Sequence, residues 1–138
     1  MAHYLDTSAL LKLVVAEAET DALRSWIGLR HRDLVSCDLA RAELARTVRR
    51  VAPDRAVQAR AVLDSITIMA VTTSTFEGAG RLDPAILRTL DAIHVAAALE
   101  LGDDLVSIVT YDHRLAAAAQ ANGIAVARPG APQRTSRG

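Results

Sequence analysis

Apolar residues along the chain fall into segments of two lengths. Short, nearly continuous apolar runs have the length of buried strands, whereas longer alanine-rich segments repeat apolar residues at helical spacing. The predicted strands are residues 3–5, 33–37, 66–71, 105–110 and 124–127. The predicted helices are residues 6–15, 19–30, 39–51, 54–64, 74–83, 113–121 and a buried helix that begins near residue 89. Strands that alternate with helices predict one α/β domain with a mainly parallel five-stranded sheet and helices on both faces.

This domain is predicted to span residues 1–127, and the sequence "RPGAPQRTSRG" at 128–138 is predicted to be a disordered tail. Cys37 is the sole cysteine, so the chain cannot form an internal disulfide. The longest apolar runs are far shorter than the roughly 20 residues that a membrane-spanning helix needs. Because the start of the chain also lacks the pattern of a signal peptide, these features predict a cytoplasmic protein without a membrane anchor.

Acidic side chains follow the ends of several predicted elements. Asp6 comes directly after the first strand, and Asp112 follows the fourth. Glu43 lies early in the helix after the second strand, and Asp91 lies in the first turn of the buried helix. In a parallel sheet these positions meet at one edge, where such folds bind ligands. Carboxylates gathered there would repel one another without a cation, so the pattern predicts a site for a hard divalent ion such as Mg²⁺.

Each of these acids also has a simpler interpretation. Asp6 and Asp112 could cap the helices that follow them, although Thr7 or Ser8 could equally cap the first helix. Asp91 could be an acid favoured by the dipole of its helix. Glu43 could form an ordinary surface pair with Arg46, three residues further on. It is the coincidence of four acids at predicted strand and helix ends that favours a common site.

His94 lies three residues after Asp91 and therefore on roughly the same face of the buried helix. An imidazole among apolar neighbours is typical of a core residue whose hydrogen bonds are satisfied within the protein. We therefore predict that His94 packs in the core and does not bind a metal.

Four segments carry a resemblance to a known family. They are "LDTSALLKL", "SCDLARAEL", "LDAIHVAAALELG" and "VTYDHRLAAAAQANGI", in that order and over nearly the whole chain. In these motifs the chain resembles PIN-domain proteins of the VapC toxin type. The resemblance implies an endoribonuclease dependent on Mg²⁺ or Mn²⁺, whose products carry a 5′-phosphate and a 3′-hydroxyl. It places the acidic site at Asp6, Glu43, Asp91 and Asp112, with hydroxyl groups of Thr7, Ser8 and Thr110 nearby.

A negatively charged site must be matched by basic residues that hold the RNA backbone. Net charge gives no guide, because 16 basic and 16 acidic side chains balance. Arginine is the better residue for bidentate phosphate contacts, and the chain has a single lysine, Lys12. Arginines are concentrated in residues 41–60, where Arg46, Arg49 and Arg50 are candidate RNA contacts. A solvated helix face would give the same pattern.

Two other classes of protein remain open at this point. A catalytically inactive PIN fold could act only as a binding module. A receiver-like signalling domain also has acids at strand ends, but it usually pairs acids after the first strand and needs a lysine after the fifth. Here Asp6 stands alone after the first strand, and Lys12 lies in the first helix.

The resemblance also implies a protein partner. Toxins of this type are restrained by a small antitoxin, whose tail wraps the nuclease and brings a basic side chain near the acidic pocket. We further expect a homodimer in the free protein. The segments "SALLKLVVAEAE" and "LARAELARTV" could offer apolar surface to either partner, although ordinary core packing explains them equally well.

Overall fold

The computed structural model describes residues 1–30 and 33–132. Its strands are β1 (Ala2–Leu5), β2 (Leu34–Cys37), β3 (Thr67–Met69), β4 (Leu105–Val109) and β5 (Val126–Ala127). Its α-helices are α1 (Thr7–Lys12), α2 (Thr20–Gly28), α3 (Leu39–Val51), α4 (Ala56–Asp64), α5 (Thr73–Gly80), α6 (Thr89–Leu99) and α7 (His113–Ala121). Short 3₁₀ turns, Pro53–Arg55 and Gly102–Asp104, precede α4 and β4.

The strands form one sheet in the order β3-β2-β1-β4-β5, and every neighbouring pair is parallel. The predicted fold class, a five-stranded α/β domain, is therefore confirmed. The order also excludes the receiver-like alternative, because receiver domains have the order 2-1-3-4-5. In the present sheet β1 is central, with β2 and β3 on one side and β4 and β5 on the other.

Neighbouring residues of the inner strands pack on opposite faces of the sheet. Tyr4 and Ile108 belong to the hydrophobic cluster formed with α6 and α7. Leu5 and Val109 belong to a second cluster, formed with helices α1 to α4. Because side chains alternate along a strand, each buried strand supplies both clusters, which explains why these strands are apolar throughout.

The first helix is shorter than predicted and begins differently. It ends at Lys12 rather than at residue 15, and the Thr20 hydroxyl donates a 2.9 Å hydrogen bond to the Lys12 carbonyl. Its N-cap is Asp6, whose Oδ1 accepts a 3.0 Å bond from the Ala9 amide. Of the two alternatives left open by the sequence, the cap is therefore Asp6 and not Thr7 or Ser8, since Asp6 is the last residue in extended conformation.

The segment after β5 departs from the expected disorder over residues 128–132. There the Tyr111 hydroxyl donates a 2.7 Å hydrogen bond to the Pro129 carbonyl. Gly130 has a φ of +81°, and a Cβ at this position would lie 2.8 Å from the Cβ of Ala22. This segment therefore packs closely against the start of α2. The rest of the predicted tail, residues 133–138, lies outside the described residues.

Among the described residues, no helix is both long enough and apolar enough to cross a membrane.

Candidate functional site

The site lies beyond the carboxyl ends of β1 and β4, where the strand order reverses direction. Asp6 follows β1 directly, and Thr110 follows β4. The two segments are held together by a 3.2 Å hydrogen bond from the Asp6 amide to the Val109 carbonyl. Parallel α/β sheets commonly bind ligands at this switch point, because the helices on either side of it diverge.

A cavity of about 330 Å³ opens at this point. Its lining contains all four acids that the sequence predicts, Asp6, Glu43, Asp91 and Asp112, which come from four different segments of the chain. Thr7 and Ser8 also line the cavity. Thr110 is fully buried and reaches the site through its hydrogen bond to Asp6 rather than by lining the cavity.

Asp6 is the most firmly held of the four acids, with an exposed fraction of 3%. Its Oδ1 accepts bonds from the Ser8 hydroxyl at 2.6 Å and from the Ala9 amide at 3.0 Å. Its Oδ2 accepts a 2.5 Å bond from the Thr110 hydroxyl. Burial raises the pKa of Asp6, because these hydrogen bonds from Ser8, Thr110 and Ala9 offset only part of the cost of burying its charge. A bound cation would favour the ionised form of this carboxylate.

Asp112 caps α7 and still presents an oxygen to the cavity. Its Oδ1 accepts bonds from the amides of Arg114 at 2.8 Å and Leu115 at 3.3 Å. Its Oδ2 receives the guanidinium of Arg88 at 3.4 Å. The capping role and a ligand role are therefore compatible for Asp112, since they use different oxygens. Asp6 likewise caps its helix and lines the cavity.

Glu43 is bound by partners other than the Arg46 that its spacing suggested. Its Oε1 accepts a 2.7 Å bond from the Thr7 hydroxyl and a 2.5 Å bond from His94 Nε2. On the other side of the imidazole, His94 Nδ1 lies 2.7 Å from the hydroxyl of buried Tyr4. The chain Tyr4–His94–Glu43 thus connects the core to the acidic cavity.

The contacts of His94 favour its charged form. Burial by itself lowers its pKa, but the hydrogen bonds to Cys37 and Glu43, with the negative charge of Glu43, raise the pKa of His94 to about 10. Burial likewise raises the pKa of Glu43, yet the bond and positive charge of His94 bring it below its usual value. His94 is 2% exposed, as predicted for a core residue, but it also lines the cavity and orients an acid.

Arg88 is a site residue that the sequence analysis missed. It is the N-cap residue of α6, its Nε donates a 3.1 Å bond to Asp91 Oδ2, and its Nη2 donates to Asp112 Oδ2. The signal available in the sequence was its position three residues before Asp91. Its second partner, Asp112, lies 24 residues further along the chain, and only the fold brings the two together.

The donor set fits a hard divalent ion. Carboxylate oxygens with nearby hydroxyl groups are the ligands that Mg²⁺ prefers, and Mg²⁺ usually keeps several waters, which suits an open cavity. Within residues 1–30 and 33–132, however, no three acidic, histidine or cysteine side chains are drawn together closely enough to form a ready-made metal cage. Arg88 forms ion pairs with two of the acids, Asp91 and Asp112.

The three arginines proposed to contact RNA lie on exposed positions of α3. Arg46 and Arg50 follow Glu43 by three and seven residues, so they share its side of the helix. Arg49 instead lines a groove between α3 and α4, together with Arg41. Helical spacing therefore places two of the three candidates on the same side of α3 as Glu43, although none of the three lines the cavity itself.

A larger cavity, of about 830 Å³, lies elsewhere, between α7 and residues 126–132. Its lining includes Trp26, His113 and Arg128 but none of the four acids. Chemistry rather than size therefore marks the smaller cavity as the candidate site.

The fold agrees with comparisons to known proteins. The sequence profile of the PIN domain matches residues 3–121, and the chain belongs to this family. It is 42% identical to Ribonuclease VapC47 of Mycobacterium tuberculosis over 132 residues, which are 93% of this chain and 97% of the relative. It is 44% identical to Ribonuclease VapC46 of the same species over 128 residues, which are 93% of this chain and 98% of that relative.

Solved structures show the same fold at low sequence identity. The crystal structure of M. tuberculosis VapC20, described as a sarcin-ricin loop cleaving toxin, has a TM-score of 0.75 and 19% identity. The match covers 93% of this chain and 100% of that one. The structure of VapBC2 from Rickettsia felis bound to a promoter DNA fragment has a TM-score of 0.67 and 14% identity, over 92% and 98% of the two chains.

Proposed function

We propose that the protein is a Mg²⁺-dependent endoribonuclease, the toxin of a toxin–antitoxin pair that acts in the cytoplasm. The observation that carries this proposal is that carboxylates from four separate segments line one cavity at the switch point of the sheet. Relatives named as ribonucleases, at 42% and 44% identity, support the reaction class. Mn²⁺ is expected to substitute for Mg²⁺.

In this proposal Asp6, Glu43, Asp91 and Asp112 hold the cation, whose role when bound is to activate a water molecule and to stabilise charge on the scissile phosphate. Asp6 provides the fixed ligand, because three hydrogen bonds lock its carboxylate in place. Ser8 and Thr110 act through Asp6. Thr7 and His94 orient Glu43 in the same way.

The second candidate function, an inactive PIN fold that serves as a binding module, is less well supported. Such a module would not need four ionisable side chains at one cavity, since clustered carboxylates repel one another. A titration of the protein with Mn²⁺ distinguishes the two candidate functions, because the nuclease is expected to bind the ion and the inactive module is not.

Two partners belong to the proposal. A small antitoxin would neutralise the acidic cavity with a basic side chain, as the resemblance to VapC toxins implies. A homodimer is also expected. Most apolar residues of α1 and α3 are buried in the core, which favours core packing over a partner role for these two segments. Large exposed apolar side chains lie around α5 and the start of α6, at Phe76, Ile86 and Leu90, and others lie at the ends or starts of further helices, at Leu29, Val51 and Val57.

Expression of the chain alone and together with the product of the neighbouring gene tests the proposal. The lone chain should slow growth and create new 5′ ends in total RNA, and co-expression should restore growth and yield a complex of the two proteins. The neighbouring product expressed alone is the control. Cleavage of RNA by the purified chain that persists in EDTA would contradict metal dependence. Equal growth in all strains would contradict the toxin role but not the nuclease role.

The arginines of α3 provide a separate test of RNA binding. Replacing Arg46 and Arg50 together with Gln should weaken binding to single-stranded RNA. Each lost contact with a phosphate reduces the number of counterions that are released when the RNA binds. The slope of log affinity against log salt should become shallower by roughly one to one and a half. Binding is measured by fluorescence anisotropy at several salt concentrations.

Arg49→Gln should change this slope less, since Arg49 lies on the groove side of α3. Arg24→Gln on α2, whose guanidinium bonds the Leu13 carbonyl, is the charge-matched control. A slope unchanged in the double variant would assign Arg46 and Arg50 to an ordinary solvated helix face.

A further inference from the structure

Arg88 is the only cation that lines the acidic cavity within the described part of the chain, apart from the buried His94. We propose that Arg88 is an exchangeable arginine of the active site: it neutralises Asp91 and Asp112 before the cation binds, is displaced by the cation, and then binds the scissile phosphate. The inference rests on the proposed metal-dependent nuclease function and assigns a role to a residue outside its acidic set.

The cation and Arg88 must compete for the same atom. Asp112 Oδ1 is engaged by two amides at the start of α7, so a cation approaching from the cavity meets Oδ2. That oxygen already receives Arg88 Nη2, and Asp91 Oδ2 receives Arg88 Nε. A divalent ion and a guanidinium at neighbouring positions would also repel each other strongly in a partly enclosed site. Binding of the ion therefore favours departure of the guanidinium.

The Arg88 side chain lies largely in solvent, and its described polar partners are the two acids. Its side chain is 60% exposed, whereas the side chains of Asp91 and Asp112 are 14% and 30% exposed. The two acids are thus largely buried in the wall of the cavity, whereas the Arg88 side chain, which also lines the cavity, is mostly exposed to solvent. Exposed ion pairs of this kind contribute little to stability, so their loss costs the fold little.

Once released, the guanidinium remains at the entrance of the cavity in which cleavage would occur. A phosphate brought to the bound cation would enter through the same opening. Arginine binds phosphate through parallel N–H donors, which gives both attraction and orientation. The same side chain can therefore balance the acids in the absence of substrate and bind the phosphate in its presence.

The test measures metal affinity and RNA cleavage on the same variants. Mn²⁺ affinity is measured without RNA, from the electron paramagnetic resonance signal of the free ion. In Arg88→Gln, Mn²⁺ should bind roughly three- to tenfold more tightly, because a competing positive charge is removed. Cleavage of RNA at saturating Mn²⁺ should nevertheless fall by roughly tenfold or more, because a donor to the phosphate is lost. Arg88→Lys should recover part of the cleavage.

Arg24→Gln is the matched control, since it removes the same charge from a side chain outside the cavity and should change neither quantity. Tm values without metal should be similar for all these variants, which excludes a folding defect. Tighter Mn²⁺ binding with slower cleavage is the expected combination.

Unchanged or weaker Mn²⁺ binding in Arg88→Gln would overturn the proposed competition between Arg88 and the cation. The proposed nuclease function would still stand if the parent chain binds the ion and cleaves RNA. Tighter binding with undiminished cleavage would overturn the phosphate role. If the parent chain binds no Mn²⁺, the proposed function and the role of Arg88 both fail.

Discussion

We expect Asp91→Asn to remove RNA cleavage and to leave the fold intact. The substitution keeps the shape of the side chain but removes the negative charge from the wall of the cavity, so the proposed cation loses a ligand and binds weakly. We expect the cleavage rate to fall by at least about a hundredfold, the range seen when one charge-stabilising group is lost from an active site. Cleavage is measured on a single-stranded RNA at a fixed Mg²⁺ concentration.

The free energy of unfolding without metal should change little in this variant. Loss of the ion pair with exposed Arg88 is a small effect, and reduced repulsion among the acids acts in the opposite direction. Asp103→Asn, in the exposed 3₁₀ turn Gly102–Asp104, is the matched control and should retain full activity. Wild-type activity in Asp91→Asn would remove Asp91 from the site.

His94→Ala should destabilise the cation-free protein by about 2–4 kcal/mol, because it deletes a buried partner of both Glu43 and Tyr4. His94→Gln should lower the free energy of unfolding less, since the glutamine amide can still form a hydrogen bond with either Glu43 or Tyr4. The free energy of unfolding is measured by urea denaturation in EDTA. A cost below about 0.5 kcal/mol for the Ala variant, the level of an ordinary surface substitution, would contradict the pairing.

The stabilisation from His94 should also depend on pH. Its folded-state pKa, about 10, lies above its ordinary value of 6.5, so the contribution is fully present below pH 6.5 and declines as the pH rises toward 10. The difference in stability between the wild type and His94→Gln should therefore be larger at pH 6.5 than at pH 10. A difference independent of pH would mean that His94 is neutral in the fold.

The strands, most of the helices and the positions of the four acids could be predicted from the sequence, because all depend on local patterns. Apolar runs mark buried strands, and an acid within a few residues of a strand's carboxyl end must lie near that end of the sheet. That is why Asp6 and Asp112, 106 residues apart in the numbering, could be placed together before the fold was known. Their ligand role stays a prediction.

What could not be predicted depends on distances between elements. Glu43 has Arg46 at helical spacing, yet its partners are Thr7 and His94, which other elements bring closer. Arg88 was overlooked because one of its two acids is remote in sequence. The Pro- and Gly-containing segment 128–132 has the composition of a disordered tail, but a hydrogen bond from Tyr111 fixes it. No local pattern reports such contacts.

The central position of β1 has a consequence for how the protein loses function. Asp6 and Thr110 follow the two inner strands, which are hydrogen-bonded to each other and flanked by further strands, so this half of the cavity opens only when the whole sheet unfolds. Arg88 and Asp91 stand at the start of a helix, next to the exposed segment 83–86. Fraying of that helix end alone would move Arg88 and Asp91 away from the part of the cavity that Asp6 and Thr110 form. We therefore expect mild heating to inactivate the proposed nuclease reversibly while its core remains folded.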